Sequence, residues 1–176
     1  MNDIESYIYH VTSFKEVAWG ITLIAITMTI HSIGMLITLT AGNAMQKRLL
    51  TTDNLFANIR VLVLASWVIV LVHLTEVMIW AGFFVWRGAM PSMSAAYYYS
   101  LLQYVTVGSE LTLPVSWRLL GGMVGMAGLL TFAWSTTVLL TLVRRFEYKQ
   151  LLLITQRYRK EPVTKGGRDG DADNRV

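Results

Sequence analysis

His73 and Glu76 stand three residues apart, so on a helix they share one face. Imidazole and carboxylate are side chains that carry protons or bind metals. Both lie inside an apolar run from about Ile59 to Trp86. An ionisable group at membrane depth is costly, which marks the pair as a functional candidate. The pair can act in gating or proton sensing, or can hold neighbouring helices in register; the structural role is the expected one. His31 lies alone in another apolar run. A neutral imidazole hydrogen-bonded within a bundle is the plain reading there, and a proton or ligand site the sharper one. A metal centre made of His31, His73 and Glu76 requires all three to meet. Nothing in their spacing fixes that, so no metal is expected. With no nucleophile motif, glycine-rich phosphate loop or zinc spacing, no catalytic residue is expected either.

A second group of residues suggests transport. The stretch Tyr97–Leu111 starts apolar, then brings Gly108, Ser109 and Glu110 where a spanning helix would stay apolar. The helical part, from about Ala95 to Tyr104, is ~15 Å long, half of a ~30 Å hydrocarbon core. Backbone that stops at mid-depth is tolerated only inside protein or beside water. A pore loop meets that condition: a short helix dips in and an extended segment returns with its carbonyls facing a channel. An interfacial helix anchored by Tyr97, Tyr98 and Tyr99 is the alternative.

The order Tyr99-Ser100-Leu101, Thr106-Val107-Gly108, Leu113-Pro114, Trp117-Arg118-Leu119-Leu120 and Gly128-Leu129-Leu130 resembles the pore helix, filter and inner helix of the potassium-channel superfamily. Phe132 and Trp134-Ser135-Thr136 continue the match, and His73-Leu74-Thr75-Glu76 with Trp80-Ala81 resembles the outer helix. The likeness is to bacterial two-helix-plus-pore-loop proteins and covers about 40% of the chain. It implies a filter of Thr106, Val107, Gly108 and Ser109, with Glu110 at the outer mouth. It also implies that a monovalent cation, potassium or sodium, passes, and that no other cofactor is needed. Ser109 stands where the family has Tyr, and the next Gly is missing. The filter is therefore short, and discrimination between potassium and sodium is expected to be weak.

The remaining elements position these groups. The chain has 176 residues, 54% hydrophobic and 15% charged, with mean hydropathy +0.48. Soluble domains carry about 25% charge. These values point to an all-α integral membrane protein with three transmembrane helices and a re-entrant pore helix between the second and third. Residues 1–16 form a polar interfacial segment, and 17–143 the channel-like domain, with pore helix and filter at about 94–112. The first span covers about 17–41 and is closed by Gly42-Asn43; the second covers 59–86 and the third 119–143. Gly121, Gly125 and Gly128 in the third serve close packing or a gating hinge. Ser135, Thr136, Thr137 and Thr141 face a cavity or bond their own backbone. Residues 144–160 continue the helix as a basic segment that can meet anionic lipid, and 161–176 form a disordered tail. There is no cysteine.

Charge sets the orientation. Lys47, Arg48 and Arg60 lie on the side of the C-terminal segment, which carries nine Lys and Arg after residue 143. Lys15, Arg87 and Arg118 lie opposite. The positive-inside rule places the N-terminus outside and the C-terminus in the cytoplasm of a cell membrane, plasma or inner. The net charge of +4 thus reflects topology and not nucleic-acid binding. With one pore loop per chain and no internal repeat, the expected assembly is a homotetramer in the bilayer. A cation channel is the leading expectation, and a non-conducting structural or regulatory protein on the same scaffold the alternative.

Overall fold

The computed structural model describes residues 14–48 and 55–160. Among them it is all-helical: α1 (Phe14–Arg48), α2 (Leu55–Trp86), α3 (Met93–Tyr104), a short 3-10 turn (Val115–Trp117) and α4 (Leu119–Lys160). Three stretches, Phe14–Met45, Ile59–Trp86 and Val115–Tyr148, are long and apolar enough to cross a membrane. This is the pattern of a multi-pass membrane protein. Helix α1 packs on α2 and α4, and α3 lies between α2 and α4.

The long helices bury one narrow stripe each. On α1 it is Glu16, Gly20, Leu23, Thr27, His31, Gly34, Met35, Thr38 and Gly42, a spacing of three or four residues that matches helical periodicity. On α4 the stripe runs through Gly121, Val124, Gly125, Gly128, Thr131, Ser135, Val138 and Leu142. The outward faces are apolar, with Ile33, Leu36, Trp67, Leu71, Leu129 and Leu130 all exposed. The buried stripes carry His, Glu, Thr and Ser. A helix that turns apolar groups outward and keeps polar ones inside is suited to lipid.

Two boundaries differ from the sequence expectation. Gly42-Asn43 does not close α1, which continues to Arg48. A Cβ on Gly42 would sit 3.1 Å from Leu142, so this glycine admits α4 instead of ending the helix. Asn43 Oδ1 accepts a hydrogen bond from Arg145 at 2.6 Å, adding a polar tie at the same end. Helix α1 starts at Phe14, inside the segment read as interfacial, and Glu16 in its first turn is buried. Its carboxylate lies beside Leu119 at the start of α4, where the helix dipole favours an anion. Neither oxygen reaches good hydrogen-bond geometry among the described residues. Residues 1–13 and the tail 161–176 lie outside the described residues.

The end of α2 is built from local chemistry. Gly88 adopts φ +65°, Ala89 N–H donates to Phe84 O at 2.8 Å and Gly88 N–H to Val85 O at 3.0 Å. This is a left-handed glycine cap, which satisfies carbonyls left open by the last turn. Arg87 then enters a cage of Trp19, Trp86 and Trp117, 5.1 to 5.7 Å from the ring centroids. The guanidinium stacks on aromatic faces and ties α1, α2 and the 3-10 turn together at one end of the bundle. Ser92, extended at φ −149°, caps α3 by accepting from Ala95 N–H at 3.2 Å.

Candidate functional site

Helix α3 has twelve residues and starts beside the end of α2. Its last residue, Tyr104, is buried and reaches His73 and Glu76 near the midpoint of α2. The Tyr104 carbonyl lies against Gly128, where a Cβ would collide with it. At Gly125 a Cβ would stand 3.3 Å from Gln103 O, and at Gly121 it would meet the Tyr99 hydroxyl. The three glycines named from sequence therefore form the seat of α3 within one chain. Their absent side chains let the short helix lie close on α4, which is the packing role.

Where α3 docks, five side chains from four helices close a ring. His31 Nδ1 is 2.9 Å from Glu76 Oε1. The Tyr104 hydroxyl donates to Glu76 Oε2 and lies 2.9 Å from His73 Nδ1. His73 Nε2 is 3.0 Å from Ser135 Oγ, and Ser135 Oγ is 3.3 Å from His31 Nε2. Thr131 Oγ1 stands 2.5 Å from the Tyr104 oxygen and also reaches Ala127 O and Gly128 O, each at 3.0 Å. All six residues are buried. A charge in such a place is held only when paired and hydrogen-bonded. Glu76 meets that condition through His31 and Tyr104. Apolar layers lie on both sides: Trp80, Phe84, Val124 and Ala127 toward one end, Met35, Ile69 and Val138 toward the other.

The pair His73 and Glu76 is thus part of a larger cluster that also contains His31. The sequence spacing of 45 residues between His31 and Glu76 hides this contact. Tyr104, Thr131 and Ser135 were not assigned to a site from sequence. A signal for two of them exists: Thr131 and Ser135 fall four apart on the face that carries Gly121, Gly125 and Gly128. Ser135 bonds across the bundle, to His73 and His31. Thr136, Thr137 and Thr141 do bond their own helix, to Phe132 O, Ala133 O and Thr137 O.

The segment after α3 is a different kind of site. Thr106 takes φ +60° and Gly108 φ +83°. Thr106 N–H donates to Gln103 O at 2.9 Å and Val107 N–H to Leu102 O at 3.0 Å. This is the same left-handed cap that ends α2, with threonine in the position glycine usually takes. A β-branched residue there is strained by about 1–3 kcal/mol. Val107 is 73% exposed, and Thr106 and Glu110 are also open. Ser109 Oγ accepts from Leu111 N–H at 3.1 Å. The expected filter residues thus sit at the exposed end of α3, and the polar cluster sits behind it.

No protein-family model matches the chain, and no curated protein or solved structure matches it.

Proposed function

We propose that this protein is a cation channel of the cell membrane in which α3 is the pore helix and residues 106–110 form the filter and outer mouth. Four chains surround the axis, each supplying one loop. The observation that carries the reading is the seating of α3. A helix of about 18 Å has its last turn held level with the middle of α2 and of the apolar stretch Val115–Tyr148, by Tyr104 on Glu76 and by Gly128 beneath its carbonyl. Of the residues that follow, Val105, Thr106, Val107 and Glu110 are exposed and Gly108 and Ser109 half-buried. In a single chain they would face lipid at a cost of several kcal/mol per unpaired group, which favours a ring of loops around water. The C-terminal end of α3 turns its negative dipole toward the permeation path. Glu110 concentrates cations at the mouth. The pore opens outward, and the basic segment after residue 143 lies in the cytoplasm against anionic lipid.

The alternative is a non-conducting membrane protein on the same scaffold. One observation favours it: Val107 and Gly108 both turn their N–H groups back to Leu102 O, closing the helix end. Cation flux into liposomes, measured with the unmodified protein and with Ser109 replaced by Tyr-Gly, separates the two. The channel reading predicts flux from the unmodified protein and a higher potassium preference in the repaired one. Silence from both establishes the scaffold reading.

A further inference from the structure

The ring behind α3 is one cation short. Five contacts close it: His31 to Glu76, Glu76 to Tyr104, Tyr104 to His73, His73 to Ser135 and Ser135 to His31. Each is a hydrogen bond only if a proton lies in it. With neutral imidazoles and an ionised Glu76, the ring owns four protons, one from each imidazole, one phenolic and one from Ser135. Thr131 lies outside the ring and reaches only Tyr104 and its own backbone, so it cannot supply the fifth. Wherever the four settle, one buried contact faces lone pair against lone pair.

We propose that the missing charge is a divalent first-row transition-metal ion, bound by His31, His73 and Glu76 with the Tyr104 oxygen as fourth ligand. One ligand atom from each of His31, His73 and Glu76 lies within 4.8 Å of the others. Nδ1 of His31 is 2.9 Å from one carboxylate oxygen, and Nδ1 of His73 is 3.8 Å from the other. Ligand bonds of about 2.0–2.2 Å put tetrahedral donors roughly 3.4 Å apart, so small side-chain movements suffice.

The opposite side of the rings strengthens the assignment. Both Nε2 atoms face the one oxygen of Ser135. When each Nδ1 binds metal, each Nε2 carries a proton, and the two lone pairs of that hydroxyl accept both. The Ser135 proton is left to point at Met35 Sδ, 3.9 Å away. Metal-bound histidines are held in this way, with the second nitrogen donating to a fixed acceptor.

Charge also closes. As the site assembles around the ion, the Tyr104 oxygen binds as phenolate and its proton leaves to solvent before the helices close. Two anionic ligands then balance the two positive charges of the ion, and Thr131 donates to the phenolate. A fifth proton would instead leave an imidazolium beside Glu76. Two imidazoles with two oxygens suit zinc and its neighbours, not magnesium or calcium. His31, Glu76 and Tyr104 are at most 1% exposed, so the ion enters as the helices assemble and then resists chelators. Conduction is a separate question, because the cluster lies behind α3.

The test uses full-length protein without a histidine tag, expressed in zinc-supplemented medium and purified in detergent with EDTA. Plasma mass spectrometry should find about one transition-metal ion per chain. X-ray absorption at the metal edge should show two imidazoles among nitrogen and oxygen neighbours. Ser135→Ala keeps the ligands and should weaken binding roughly 10–100-fold. Tyr104→Phe should lose the oxygen neighbour, and His73→Ala should lose the ion. Folded protein without bound metal would overturn the proposal and leave a fifth proton as the ring's cation. Metal content unchanged by His73→Ala and Ser135→Ala would overturn it too, because the ion would then lie elsewhere. If His73→Ala does not fold, the absorption spectrum of the unmodified protein decides: no imidazole at the metal refutes the site.

Discussion

Thr106 carries the most informative backbone conformation in the chain. It holds φ +60° at the tip of α3, whereas the matching position at the end of α2 is Gly88. Local stability alone favours glycine in both places. Thr106→Gly should therefore stabilise the protein by about 1 kcal/mol, read from thermal unfolding in detergent. In the channel account the same change removes a filter side chain and should lower ion selectivity. Glu110 is exposed, so its field is open to screening. Glu110→Gln should reduce cation current more at low salt than near 1 M, where the Debye length falls to about 3 Å. Tyr104 behaves differently, because it bonds Glu76 and lies close to His73 and Thr131 in a buried site. Tyr104→Phe leaves those groups short of a partner and should cost about 1–3 kcal/mol. Tyr98→Phe is its control, since Tyr98 is exposed.

At the scale of elements, α4 gives the sharpest contrast. Gly128 is buried against the Tyr104 carbonyl, while nothing lies within 4 Å of a Cβ on Gly122. Gly128→Ala should displace α3 and cost about 1–3 kcal/mol by overpacking; Gly122→Ala should be close to neutral or mildly stabilising, as alanine is the better helix former. Equal melting temperatures for the two variants would contradict the seat assigned to α3. The helices themselves are local facts and were legible from residue order. Apolar runs mark the three spans, and a half-length run marks α3. What joined them was not legible. His31 and Ser135 meet across 104 residues, and no local period encodes such a contact. Gly42 reads as a stop because glycine often ends helices, yet its partner Leu142 lies far along the chain. Glu16 reads as part of the polar segment 1–16 because the start of α4 beside it is equally remote.

Among the described residues the bundle buries a small polar cluster between apolar layers and leaves many large apolar side chains exposed on its outer faces. At ~1.5 Å per residue, α4 is about 63 Å long, twice the ~30 Å hydrocarbon core. Its basic end must therefore continue beyond the membrane, on the side that charge assigns to the cytoplasm. Cysteine placed at exposed Ser92 should react with an impermeant reagent from outside, and cysteine at exposed Thr155 only after permeabilisation. Reaction of both from one side would contradict three spans. One loop per chain also predicts a closed ring, and native mass measurement should give four chains. The most direct test of the central claim is the reversal potential of purified protein in a planar bilayer. Under a potassium chloride gradient the account predicts reversal near the cation equilibrium potential, shifting little when sodium replaces potassium on one side. Reversal near the chloride potential, or a silent bilayer containing folded protein, would contradict it.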